Sequence, residues 1–121
     1  MKNRPWIRIV LSAALVCAGM SAGAQSFPTK PITMVVPFPP GGVADTVGRP
    51  VAEAMSRHLK QSIVVENKGG AGGGIGMAQV AKSKGDGYTV LMSLSSLVVL
   101  PEADKILQRP PMFQVNQLKA I

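Results

Sequence analysis

The stretch Pro31-Ile32-Thr33-Met34-Val35-Val36-Pro37-Phe38-Pro39-Pro40-Gly41-Gly42-Val43-Ala44-Asp45 decides the fold. Ile32 to Val36 is short, apolar and rich in β-branched residues, and Pro37, which has no N–H to give a ladder, ends it as it would end a buried strand. Phe38-Pro39-Pro40-Gly41-Gly42 is too dense in proline and glycine for regular structure and reads as a loop. Beyond it, Val47, Val51, Met55 and Leu59 recur every four residues, which predicts a helix from Ala44 to Lys60 with one buried stripe. Pro50 interrupts that pattern. An interior proline costs ~3 kcal/mol, so the helix either kinks there or has its regular part begin near Pro50.

The same sentence is then written twice more. Ser62-Ile63-Val64-Val65-Glu66 reads as a second buried strand, followed by the loop Asn67-Lys68-Gly69-Gly70-Ala71-Gly72-Gly73-Gly74. A shorter helix is predicted from Ile75 to Lys82, with Ile75, Ala78 and Ala81 turned inward. Lys84-Gly85-Asp86-Gly87 is a turn, and Tyr88-Thr89-Val90-Leu91-Met92 a third strand. Glu102 to Gln108 reads as a short helix that Pro110-Pro111 ends. Alternating strands and helices on short connections predict the α/β class: a parallel β-α-β-α-β sheet with right-handed crossovers and helices on both faces.

Upstream of Pro31 the chain has a different character. Lys2, Arg4 and Arg8 precede an uncharged apolar run from Ile9 to Met20, and Ala22-Gly23-Ala24 follows it, with no acidic residue before Asp45. Basic start, short apolar core and small-residue ending describe a secretory signal peptide over residues 1–24, cut after Ala24. An uncleaved anchor is the rival, but the run is well short of the ~20 residues that span a bilayer. Cys17 would leave with the peptide; a lipid attachment there would want a small residue just before it, where Val16 stands.

Removing the segment changes the composition that matters. The whole chain has 121 residues and a net charge of +7; residues 25–121 number 97 and carry +4. Three of the seven net positive charges belong to the targeting segment. With aromatics at 4% and hydrophobic residues at 46%, the chain is globular and has little with which to stack on bases, so no nucleic-acid partner is expected. The exported part holds no cysteine, hence no disulfide, thiol nucleophile or cysteine metal site.

In a parallel sheet a ligand lies off the carboxyl ends of the strands, where loops feed helix N-termini. The three such loops are Phe38-Pro39-Pro40-Gly41-Gly42, Gly69 through Gly74 with Gly76, and Ser93-Leu94-Ser95-Ser96. Each offers backbone N–H groups or hydroxyls and almost no charge. Glycine admits a ligand close to the backbone, and a helix N-terminus favours an anion, so neutral donors alone can hold a carboxylate. The plain alternative is that these loops only turn the chain.

A nucleotide site is tested by spacing and fails. Residues 69–76 read G-G-A-G-G-G-I-G, in which no register gives G-x-G-x-x-G, and the chain has no Gly-Lys dipeptide. Catalytic groupings are equally scarce. His58 is the only histidine, with no second ligand at metal spacing, and reads as a partly buried surface residue; Ser95 and Ser96 have no G-x-S-x-G frame. Asp45 would cap the helix or hold the loop before it. Glu53, Glu66, Lys82 and Lys84 read as solvated or structural. No catalytic residue, metal or cofactor is expected. A small exported nucleotide-binding module or enzyme, and a secreted partner-binding domain, are the other classes open to a chain of this kind.

Three blocks, Lys30 to Asp45, Ile63-Val64-Val65-Glu66-Asn67-Lys68 with Gly70 to Gly76, and Asp86-Gly87-Tyr88-Thr89-Val90-Leu91, closely resemble the Bug family, the extracytoplasmic solute-binding receptors of tripartite tricarboxylate transporters. The resemblance runs from about Phe27 to the end. It implies a type II periplasmic-binding-protein fold of two α/β lobes, a periplasmic location, a small carboxylate as ligand, membrane subunits as partners, and neither catalysis nor cofactor. It implies that Phe38, Pro40, Gly41, Gly42 and Asp45 grip the proximal carboxylate, that Gly72, Gly73 and Gly74 form the cleft wall, and that Ser93, Ser95 and Ser96 supply the polar segment after the third strand. Departures are Ser93-Leu94 where Gly-Thr is frequent, Gly74 where Asn is common, and Pro50 where a helix former is usual. Receptors of this family are much longer, so residues 25–121 are expected to be the N-terminal part of the first lobe, incomplete and without the second lobe, with impaired binding.

Overall fold

Ile32–Val36 forms the central strand, β1, of a parallel three-stranded sheet, flanked by Ile63–Asn67 (β2) on one side and Thr89–Leu91 (β3) on the other. The computed structural model describes residues 27–121. The expected signal peptide over residues 1–24, its cleavage after Ala24 and the fate of Cys17 lie outside the described residues. Val43–Leu59 (α1) connects β1 to β2, and Gly74–Ala81 (α2) connects β2 to β3. Ser96–Ile106 (α3) follows the sheet, with short 3-10 turns at Ala71–Gly73 and Val115–Gln117.

Strand order β2-β1-β3 makes the two crossovers, β1 to β2 and β2 to β3, run in opposite directions along the sheet. A common right-handed sense then places α1 and α2 on opposite faces, and the packing agrees. Ile32, Met34 and Val36 point to one face, where Gly48 of α1 lies within 3.4 Å of Val36 and 3.8 Å of the Met34 sulfur, measured from the place its Cβ would take. Val35 points the other way, in register with Leu91, which packs beside Met77, Ala78 and Phe113. Because both faces are covered, β1 carries no alternation: Val35 and Val36 are fully buried.

Three helix details differ from the expected pattern. In α1 the inward residues are Ala44, Asp45, Gly48 and Ala52, with Met55 and Leu59 half-buried, whereas Val47 and Val51 are 48% and 40% exposed. The true stripe is one residue, about 100° of helix, away from the predicted one. Small residues win the inward face because the helix sits so close to the sheet that a Cβ at Gly48 would stand 3.3 Å from Met92 Cγ. The helix also runs unbroken from Val43 through Pro50, so it does not begin there; Pro50 is exposed, where water can take the carbonyl that the proline leaves unbonded. His58 is exposed rather than partly buried. In α2, Met77, Ala78 and Val80 are buried while Ile75 is 50% exposed. Finally, α3 starts at Ser96 and not near Glu102, because Leu97 and Leu100 pack on the cluster around Met77 and Phe113, and that burial outweighs Pro101 in the helix interior.

At the pole of the sheet opposite the loops, Tyr88 pins the entering chain. Its phenol oxygen accepts the Thr29 backbone N–H at 2.9 Å, its ring stacks at 5.0 Å from Phe27, and the Lys30 ammonium lies 4.4 Å above it. The Thr29 hydroxyl, 3.2 Å away, and the Thr29 amide hold the Tyr88 phenol below its usual pKa. This explains the Asp86-Gly87-Tyr88 motif structurally: the Asp86 carboxylate accepts the Tyr88 N–H, and a side chain on Gly87 would collide with Phe27.

Two outcomes are expected. Gly48→Leu should lower unfolding free energy by about 1–3 kcal/mol in urea denaturation, from overpacking, while Val47→Ala should stay within about 0.5 kcal/mol of the parent. Tyr88→Phe should accelerate hydrogen exchange of the Thr29 amide and leave the β1 amides protected.

Candidate functional site

All three strands run in one direction, so Val36, Asn67 and Leu91 end at the same edge of the sheet. Between β1 and β3 the following connections diverge to opposite faces, and a crevice opens at such a switch point. The chain leaves β1 into Pro37–Gly42, β2 into 68–73 and β3 into 92–95. The sheet ladder carries on one step past the strands, with the Lys68 N–H donating to Val36 O at 2.8 Å and the Met92 N–H to Val35 O at 2.9 Å, which fixes where each loop departs.

The first loop is held by a polar cluster beneath it. Asp45, in the first turn of α1 and only 4% exposed, accepts the Gly41 N–H at 2.9 Å and the Arg49 Nε–H at 2.9 Å on one oxygen, and the Asn67 amide at 3.0 Å on the other. Asn67 also donates to the Phe38 carbonyl at 3.1 Å and accepts from the Arg49 guanidinium at 3.1 Å. The Arg49 bond, then the Gly41 N–H, then the Asn67 amide lower the Asp45 pKa from 3.8 to about 2, against the opposing effect of burial. Arg49 is raised by the same pairing. Asp45 therefore stands under the loop as a support, bonded to Gly41, Arg49 and Asn67; Arg49 and Asn67 were not singled out from sequence.

The second loop is a structural glycine turn to a greater degree than its composition suggests. Gly73 has φ +98°, and a Cβ there would lie 3.1 Å from Pro37 O and 3.2 Å from the Phe38 ring. Gly76 is packed so tightly under Pro37 and the Lys68 carbonyl that a Cβ would fall within 2.8 Å of the proline side chain. These contacts bring the first and second loops together. They also use up donors: the Gly73 N–H goes to Gly70 O and the Gly74 N–H to Ala71 O. Gly72 and Gly74 face away from β1, onto Leu100 and Met112, and line a cavity of about 590 Å³ with Phe113 and the Asp104–Arg109 ion pair at its side.

The third loop is polar as expected, but helix α3 begins inside it. Ser95 is the N-cap residue and Ser96 the first helical residue, and the first turn is drawn tight by Leu97 N–H to Leu94 O at 3.1 Å. Ser93 Oγ makes only a long bond to Leu94 O, at 3.4 Å, and Ser96 Oγ is buried without a hydrogen-bond partner among the described residues. Phe38 is half-buried, while Pro40, Gly41, Gly42 and Ser95 are exposed. No side chain caps the N-terminus of α1, α2 or α3. The Gly73 and Gly74 N–H groups are thus bonded within the loop, whereas the first-turn amides of α1 after Gly42 have no partner within the helix. Among the described residues no three His, Cys, Asp or Glu side chains cluster as a metal site would require.

This arrangement was compared with known proteins. Residues 47–121 match the model of the tripartite tricarboxylate transporter family receptors. The chain is similar to protein BugT of Bordetella pertussis, 46% identical over 96 residues, which are 78% of this chain and 29% of that one. Among solved structures it is similar to the periplasmic binding protein BugD, at 54% identity and TM-score 0.52, over 54% of this chain and 22% of that one. It is likewise similar to two proteins of Rhodopseudomonas palustris: Rpa4515 with adipate, 43% identical with TM-score 0.53, and MatC with bound malate, 43% identical with TM-score 0.52. Each match covers 54% of this chain and 22% of the other. The chain spans between 26% and 36% of the length of the curated relatives it matches. Family and neighbours are solute-binding proteins of the periplasm and not enzymes, and the chain belongs to the Bug, or TctC, family of tripartite tricarboxylate transporter receptors.

Proposed function

We propose that this chain contributes the first-lobe wall of a periplasmic receptor for a small carboxylate, which such a receptor passes to the membrane subunits of a tripartite transporter. Residues 1–24 direct export, and residues 25–121 are the exported N-terminal part of the lobe. The observation that carries the reading is the uncapped N-terminus of α1, placed at the β1/β3 switch point at the end of a loop pinned by Asp45. First-turn amides there have no partner within the helix, and the positive end of the helix dipole favours an anion. The carboxylate-bound relatives, with malate and adipate, support that ligand class.

Within this reading the contacts are few. Gly42 and the amides of Val43 and Ala44 receive the proximal carboxylate, Phe38 and Pro40 shape the apolar wall beside it, and Ser93, Ser95 and Ser96 approach it from β3. Gly41 and Asp45 act through the loop's shape. Gly73, with Gly76, holds the second loop against Pro37 and Phe38, Gly72 and Gly74 pack towards Leu100 and Met112, and the contribution of these glycines is steric. Arg49 is already paired with Asp45, so recognition rests on neutral donors and should depend weakly on salt.

Val43→Pro tests the carrying observation cleanly. Proline is well suited to the first helical position, and Gly42 at φ −78°, ψ 174° already has the extended geometry that a residue before proline requires. The substitution removes one amide donor and should weaken malate or adipate binding by about tenfold or more in calorimetric titration, with little change in melting temperature; unchanged affinity for whichever probe the parent binds rejects the α1 amide as anchor. Ser96→Ala should leave stability equal or slightly higher, because it removes a buried hydroxyl without a partner, and should weaken binding. A panel of di- and tricarboxylates with no detectable binding to the parent chain overturns the reading for this polypeptide.

A further inference from the structure

We infer that Asn67 is the positioning residue of the carboxylate loop, tying Phe38 and Asp45 to the end of β2, and that Arg49 is present to neutralise Asp45 beneath the anion. The inference rests on the carboxylate reading above for its purpose, though its geometry stands by itself.

Asn67 closes β2 in register with Val36, the last residue of β1, so the sheet fixes its backbone before any side chain is placed. From there one amide group makes three bonds. Its Nδ2 donates to Phe38 O at 3.1 Å and to Asp45 Oδ1 at 3.0 Å, and its Oδ1 accepts from Arg49 at 3.1 Å. Two donors and one acceptor at that reach describe asparagine and nothing shorter or simpler. Aspartate at this position would offer no donor, and would set a second carboxylate against Asp45 and against the Phe38 carbonyl. Glutamine has the groups, one methylene too far.

The consequence for the loop is that it is held at both ends. Phe38 is tied through its carbonyl to Asn67, and Gly41 through its N–H to Asp45. Both ties meet at the Asn67–Asp45 bond, so the path of Phe38 to Gly41, and with it the direction in which Gly42 and the first amides of α1 face, follows from the end of β2. Arg49 sits one turn along α1 with its side chain 53% exposed, against 5% for Asp45. It is the charged group that faces Asp45: from β2 comes only the neutral Asn67, the loop Phe38–Gly42 carries no charge, and Glu66 and Lys68 pair with each other at 3.5 Å. Without Arg49, a buried negative charge would lie under a site that receives an anion.

The test uses the full chain with Asn67→Ala, Asn67→Asp, Asn67→Gln and Arg49→Gln. Exchange protection of the Gly41 amide should fall at least about tenfold in both Asn67→Ala and Asn67→Asp, with β1 amides unaffected, and Asn67→Gln should not restore it. In malate or adipate titrations, where the ligand's own protonation is common to both proteins, the ratio of Arg49→Gln to parent affinity should rise as pH falls towards 4, because the unpaired Asp45 then takes up a proton; a structural role alone predicts the same ratio at every pH. In the parent, Asp45 titrates below its ordinary 3.8, so its stabilising contribution is complete above that value and is lost as pH falls through about 2; Asp45→Asn should remove this step from urea denaturation curves. Unchanged Gly41 protection in Asn67→Ala overturns the positioning role, and a pH-independent ratio of Arg49→Gln to parent affinity overturns the neutralising one. Should the parent bind none of the probes, the carboxylate reading falls, while the Gly41 measurement and the Asp45 step still decide the geometry.

Discussion

The position of β1 between two parallel neighbours is the constraint on which the other features depend. A central parallel strand is covered on both faces, so Ile32 to Val36 has to be apolar throughout, and Val35 and Val36 are fully buried. Because β2 and β3 lie on opposite sides of it, the connecting helices are driven to opposite faces and the loops after β1 and β3 diverge. The crevice is thus a product of strand order. Pro37, buried at the end of the strand, marks where ladder bonding stops and the loop begins.

What the loop presents is decided one layer lower. Asp45 is nearly inaccessible, yet it stays charged because three donors from three places in the chain converge on it. Such a carboxylate is costly to bury alone and useful when fully satisfied, since it can hold a glycine-containing loop in one shape. The cluster reconciles two demands: a loop flexible enough in composition to let backbone amides face a ligand, and rigid enough in structure to keep them there. The glycines of the second loop answer a different demand, that of packing α2 hard against Pro37 and Phe38.

The proposed anion site, held by neutral groups, draws its support from family membership and local geometry together. The chain covers only part of the length of its relatives. The apolar residues left exposed, Val98, Val99 and Ile106 on α3 among them, show that this portion alone does not bury all its hydrophobic surface.

Much was legible in the sequence. Strand positions, the α/β alternation, the parallel sheet and the three loops at its edge follow from apolar runs, period and Pro/Gly punctuation, all of them local signals that survive without partners. The family was legible too, from three blocks in order. What the sequence could not decide was which side of each helix faces in, and which donors remain free. Val47 and Val51 looked like core because a four-residue period is the same on either side of a helix; only the distance between α1 and the sheet selects Ala44, Gly48 and Ala52 instead. Likewise composition does not show that the Gly73 and Gly74 N–H groups bond to Gly70 and Ala71, or that Asn67 and Arg49, 22 and 4 residues away, surround the Asp45 carboxylate. Local composition determined what kinds of groups stand at the loop edge; the folded backbone decided which of them are already spoken for, because a hydrogen bond depends on the path of the chain, whether its partner is three residues away, as for Gly73 and Gly70, or 22, as for Asp45 and Asn67.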